Sequence, residues 1–187
     1  SIMRKCLLFI SLVVATSFLT SCLDTTNPQN SPEIYCSPLY VNPVIQGDSI
    51  LSAKDTLELL SYDSEGGWYE TDTAYVGDTV VFASMYYTVS NNLVSVKIDW
   101  EKLSMHLWCP IGDDVRKVLP AESDTTACKF CFDPGYNNVS FPVYFVPLQQ
   151  GGLKVKLTVK SDSEYSTSSV QFYVPVKEQV VDSVALN

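Results

Sequence analysis

The chain has 187 residues, 12 basic against 21 acidic, a formal net charge of −9 and one histidine. That length suits one medium domain with its own core rather than two large ones. Lys and Arg form neither a cluster nor an excess, which excludes a nucleic-acid surface.

The first element is an apolar run. Met3, the basic pair Arg4 and Lys5, and "CLLFISLVVATSFL" form a charged n-region and an apolar h-region. Small residues follow, so the run reads as a secretory signal too short for a membrane span. It stops at Cys22 and turns polar at "LDTTN". Leu19-Thr20-Ser21-Cys22 resembles the lipobox of bacterial lipoproteins at every position. The resemblance implies diacylglycerol on the Cys22 thiol, cleavage before it and acylation of the new N-terminus, so residues 1–21 leave. Several acyl chains exceed what stable anchoring needs. Losing Arg4 and Lys5 takes the basic count from 12 to 10 against 21 acidic, a mature charge of −11. An acidic body is repelled by anionic lipid, so the acyl group does the anchoring. Leu23 stands where the family's inner-membrane retention signal has an acidic residue, which implies the outer membrane and leaves its face open.

Residues 22–35, polar with Pro28 and Pro32, read as a tether. Residues 36–69 read as an N-terminal extension with short strands, proline-broken and then weakly strand-like around Leu57–Leu60, with a turn at Gly66-Gly67 beside Trp68 and Tyr69. "DTVVFASMYYTV" (78–89) is rich in strand formers. "LVSVKIDW" (93–100) puts Val94, Val96, Ile98 and Trp100 on one face against Ser95, Lys97 and Asp99, a half-buried strand with Trp100 in the core. "VSFPVYFVPL" (139–148) carries prolines that suit an edge or a bulge. "LKVKLTVKS" (153–161) alternates again, and "SVQFYVPV" (169–176) closes the set, ahead of a tail at 177–187. No useful window beyond the signal has a 3.6-residue period, so the expected class is all-β, an antiparallel sandwich.

"GDTVVFAS", "LVSVKIDW" and "GGLKVKLTVKSDSEYSTSSVQFYV" resemble the immunoglobulin-like and PKD-type domains of bacterial surface proteins. The resemblance covers residues 70–176 and implies an immunoglobulin-like β-sandwich, interrupted by a cysteine-bearing insertion at 101–138.

Cys36, Cys109, Cys128 and Cys131 remain after processing, an even number for an oxidising compartment. Two disulfides are the favoured expectation. If "CKFC" is extended, Cys128 and Cys131 point to opposite faces and take different partners. Cys109 is the natural partner of one, and Cys36 takes the other. The alternatives are free thiols, or zinc held by His106, Cys109, Cys128 and Cys131, spaced H-x-x-C and C-x-x-C as in a ribbon. The zinc arrangement leaves Cys36 unpaired.

Seven of thirteen Asp residues precede Ser or Thr and then an apolar residue or Thr, where composition alone gives roughly one. The pattern resembles the O-glycosylation acceptor motif of gut-type Gram-negative anaerobes, with Thr25 and Thr125 as the best candidates. Asp-Thr-Val is equally how strands begin after a turn carboxylate.

No G-x-S-x-G elbow, P-loop or dinucleotide motif is present. The expected role is therefore non-enzymatic binding or scaffolding for an envelope protein or glycan, with no cofactor. A carbohydrate-active accessory protein or small glycan-processing enzyme is the alternative, and requires a cleft in which Asp113, Asp114 or Glu122 face one another. Trp108, Phe130, Phe132 and Tyr136 crowd the insertion, as a ligand surface or as a satellite core.

Overall fold

In the computed structural model the described residues are 30–47 and 49–180, together with the backbone but not the side chain of Asp114. The chain is all-β, built as two antiparallel-rich sheets packed as a sandwich. The first sheet has six strands in the order β11 (Met105–Trp108), β13 (Asn138–Pro147), β9 (Val80–Tyr87), β2 (Leu39–Val41) and β5 (Asp55–Leu57), with β1 (Glu33–Cys36) also pairing to β9. The second has seven, in the order β12 (Lys129–Cys131), β10 (Leu93–Trp100), β14 (Gly151–Ser161), β15 (Thr167–Lys177), β7 (Trp68–Thr71) and β6 (Leu59–Asp63), with β8 (Ala74–Tyr75) alongside β15. A separate hairpin joins β3 (Val44–Gln46) to β4 (Ser49–Ser52). One helical turn, α1 (Asp113–Arg116), lies in the insertion.

The core follows from alternation. Val80, Phe82 and Tyr86 of β9, Val96 and Ile98 of β10, and Leu153 to Val159 at odd positions of β14 bury between the sheets. Phe82 meets Phe172 edge-on with centroids 5.7 Å apart, a favoured aromatic geometry. Trp100 is only partly buried against this core, with the Lys102 ammonium 5.6 Å from its centroid.

Several expectations need revision. Residues 22–35 are not tether throughout, because Glu33–Cys36 pairs with β9. The boundary at residue 70 does not separate an extension from the sandwich. β1, β2 and β5 complete the first sheet, and β6 and β7 complete the second. The insertion at 101–138 is not an excursion either, since β11 extends the first sheet and β12 the second.

β13 is an interior strand, not the edge that its prolines suggest. Ala83 turns its N–H and C=O to Ser37, so Pro142 opposite it needs no donor toward β9. On the other side β11 ends at Trp108, opposite Tyr144, before it reaches Pro142. The ring therefore sits where no ladder bond is required.

Candidate functional site

The outer face of the first sheet is built by register. Trp108, Tyr144, Val81, Tyr40 and Thr56 form one row across β11, β13, β9, β2 and β5. Val80, one residue earlier, is fully buried on the inner face. Val81 points outward yet is only 3% exposed.

What covers this face is the β3–β4 hairpin. A two-stranded hairpin is marginal by itself, so its attachment matters. Asp78, 2% exposed, holds both of its ends. The Asp78 carboxylate accepts from Asn42 Nδ2 at 2.8 Å, just before β3, and from Lys54 Nζ at 3.0 Å, just after β4. Gln179 Nε2 adds a third donor at 3.1 Å. Asn42 adopts a left-handed φ of 45° and its Oδ1 receives the Thr79 N–H at 2.8 Å. Asn is among the few side chains that tolerate this conformation. The Asp-Thr-Val triplet at 78–80 thus does structural work at a strand start.

Between hairpin and sheet lies a cavity of about 680 Å³. Ile45 and Ile50 form the hairpin wall, Tyr40, Pro142 and Tyr144 the floor, and Ser37, Ser49 and Ser140 supply hydroxyls. No charged residue lines it among the described residues, which do not include Asp48 between Gly47 and Ser49. Its size is that of a small-molecule site. Tyr144 ends a stacked ladder. Its ring lies 5.3 Å from Trp108, which lies 5.0 Å from His106, with interplanar angles of 26° and 25°. A second cavity of about 440 Å³ flanks this ladder, lined by His106, Trp108, Cys109, Arg116, Thr125 and Thr126.

The structure brings His106, Trp108, Cys109 and Thr125 around that second cavity. Thr125 is exposed on a turn in which Asp124 Oδ1 accepts from the N–H groups of Thr126 and Ala127 at 3.1 and 3.0 Å. Phe130 and Phe132 are not surface residues. Phe130 is fully buried, edge-on to Phe141 at 5.0 Å, and Phe132 is 7% exposed. Tyr136 is 40% exposed but lines neither cavity. Trp68 stacks on Tyr173 at 5.8 Å with the Lys154 ammonium 4.4 Å from its centroid. Asp113 and Glu122 are exposed and line neither cavity. Cys22, Thr25 and the side chain of Asp114 lie outside the described residues.

The four cysteines divide. Cys36, Cys109 and Cys128 belong to or pack on the core, whereas Cys131 follows the buried Phe130 and is half-exposed. Cys109 and Cys128 share a side-chain hydrogen bond that holds Cys128 below and Cys109 above the ordinary thiol range. Burial pushes Cys36 up to about 12. The Tyr86 hydroxyl, buried near these three sulfurs, is also pushed up by burial and has no well-placed acceptor. Its neighbour Ser84 donates to the Phe141 carbonyl at 3.0 Å. The four zinc ligands do not converge. His106 is exposed and Cys109 buried, as alternation along β11 requires, and no metal-type cluster of three occurs among the described residues. All four cysteines are free thiols in the structure, and Cys131 lies on the outer side of the second sheet while Cys36 and Cys109 pack inward, which sets either pairing of Cys131 apart.

Sequence signals marked Trp108 but missed Tyr40, Tyr144 and the hairpin. Tyr40 sits in a three-residue strand between Pro38 and Pro43, too short for any period.

No protein-family profile matches the chain, and no curated protein matches it. Among solved structures it is similar to a secreted serine protease, VesC, from Vibrio cholerae, with TM-score 0.38 and 9% identity over 57% of this chain and 21% of that one. It is also similar to a family 123 glycoside hydrolase from Clostridium perfringens, with TM-score 0.32 and 13% identity over 58% and 22%. A third is the ASH/PapD-like domain 7 of human CEP192, with TM-score 0.33 and 12% identity over 73% and 99%. The chain spans about a fifth of the length of the first two. Likenesses this remote carry no argument about activity.

Proposed function

We propose that this protein is a lipid-anchored binding protein of a bacterial cell envelope, outer-membrane and non-catalytic, fastened through Cys22. Its ligand lies in the groove between the β3–β4 hairpin and the first sheet. The observation that carries the reading is that groove: about 680 Å³, walled by isoleucines, floored by Tyr40, Tyr144 and Pro142, and edged by the hydroxyls of Ser37, Ser49 and Ser140. Aromatic rings beside hydroxyls suit a neutral ligand with apolar faces and polar edges, as a sugar ring has.

An array of neutral oligosaccharides probed with the chain from residue 23 tests this. Binding that falls at least tenfold in both Tyr40→Ala and Tyr144→Ala, with melting temperatures near wild type, supports the reading. Binding that survives both changes overturns the groove. Anchoring has its own test, since protein from native membranes must lack residues 1–21 and carry fatty acid.

A further inference from the structure

The groove makes no use of the thiols, and the fold places two of them where bonding between them has a consequence. Cys109 directly follows β11 of the first sheet, and Cys128 directly precedes β12 of the second. Neither depends on the loop between them for its position. Trp108 is paired to Tyr144 in the first sheet, while the Cys128 carbonyl accepts from Ile98 N–H of β10 at 3.0 Å in the second. Both are free thiols in the structure, both are buried, and each is the main influence on the other's proton affinity. We infer that Cys109 and Cys128 form a disulfide linking the two sheets across the insertion, and that Cys36 and Cys131 remain thiols.

The inference narrows the sequence reading, which left the connectivity open and expected two bridges. Cys131 is turned outward beside the Glu122 carbonyl, 3.9 Å from its sulfur. Of the three inward cysteines only Cys109 and Cys128 act on one another, Cys36 being affected by burial alone. The chemistry is ordinary exchange. Cys128, the more acidic of the pair, attacks one sulfur of a disulfide oxidant such as oxidised glutathione, and the first small thiolate leaves. Cys109 then gives up its proton and attacks the Cys128 sulfur, and the second thiolate leaves. The protein loses two protons and two electrons, and the oxidant becomes two thiols. The bridge encloses α1 and the Asp124 turn, so it fixes the wall of the second cavity to the core.

That oxidation happens in the cell rests on the envelope reading above, so the test has two arms. In the first, the chain from residue 23 is refolded from the reduced, denatured state in a glutathione redox couple, then alkylated with N-ethylmaleimide in denaturant. Trypsin separates all four cysteines, since Lys102, Arg116, Lys117 and Lys129 fall between them. The expected result is peptide 103–116 joined to peptide 118–129, with adducts on Cys36 and Cys131 only. Adducts on all four cysteines, or a bridge that includes Cys36 or Cys131, overturns the pairing. Reduction should lower the melting temperature by about 6–12 °C, as expected for closing a loop of this length. Cys109→Ala and Cys128→Ala should each reproduce that loss without adding to one another, while Cys36→Ala should leave the reduction effect in place. The second arm alkylates protein taken directly from its membranes. The same bridge there supports both readings. Free Cys109 and Cys128 there, after the bridge has formed in the first arm, count against the envelope reading and leave the pairing standing.

Discussion

Asp78→Ala is the perturbation that most sharply tests how the groove is held. The carboxylate is 2% exposed and receives donors from three separate places: Asn42 before the hairpin, Lys54 after it, and Gln179 beyond the last strand. The three donors do not contribute equally. The Lys54 side chain is 51% exposed, so its ammonium returns to water when the partner goes, and its pair is worth at most about 1 kcal/mol. Asn42 is exposed too, but its hydrogen bond ends on a charged acceptor that is itself buried, and losing a bond of that kind costs about 1.5–3 kcal/mol. With a smaller loss at Gln179, the expected destabilisation is about 2–4 kcal/mol, or about 4–16 °C in melting temperature for a domain of this size. Because both ends of the hairpin are released, ligand affinity should fall as well. Urea unfolding followed by circular dichroism measures the first effect, and oligosaccharide binding below the transition measures the second. A variant within about 0.5 kcal/mol of wild type, the usual range for surface substitutions, would show that the carboxylate does not hold the hairpin down.

Three further outcomes follow from particular packing. Phe130→Ala should cost about 3–5 kcal/mol in urea unfolding because its ring is fully buried against Phe141, while Trp108→Ala on the outer face should cost well under half of that. Gly152→Ala should destabilise by about 1–3 kcal/mol by overpacking, since a Cβ there would run into the ring of Tyr173, and the paired change Gly152→Ala with Tyr173→Ala should recover part of the loss in thermal melts. Burial raises Cys36 to about 12 from 9.0, so the folded state keeps a proton that the unfolded state releases. Its contribution to stability is therefore complete below pH 9 and drains away as pH rises from 9 to 12, and Cys36→Ala should flatten the decline measured by urea unfolding across that window.

The sequence was a good guide wherever one face of a long strand met water. "LVSVKIDW" coincides with β10, and Val96 and Ile98 are buried as expected, although Val94 is exposed and Leu93 buried because the register shifts between Leu93 and Ser95. The lysines of "LKVKLTVKS" fall on the exposed side of β14. It was a poor guide where strands are short or covered on both sides. β1, β2 and β5 have three or four residues each and are separated by prolines, so their places in the first sheet come from pairing with β9 and Tyr40, not from a local period. Val80 and Val81 read alike in the sequence, yet one is core and the other lies beneath the hairpin, a difference that only the tertiary fold creates.

Aromatic content alone misled in the insertion. Trp108 and Phe130 lie at comparable offsets from their cysteines, but β11 turns Trp108 outward and β12 turns Phe130 inward. The strand phase decides between surface and core, and no residue count reveals it. Pro142 of β13 misled for a related reason, since its cost depends on whether a neighbour needs the missing N–H, and here β11 ends in time.

Nuclear magnetic resonance titration of the chain from residue 23 with neutral oligosaccharides tests most directly whether a ligand sits under the hairpin. The largest shifts should fall on the side chains of Ile45 and Ile50 and on the rings of Tyr40 and Tyr144, with Lys156 and Lys160 on the opposite sheet undisturbed. Shifts confined to that second sheet, or no shift from any sugar that the protein is independently found to bind, would contradict the groove as the binding site.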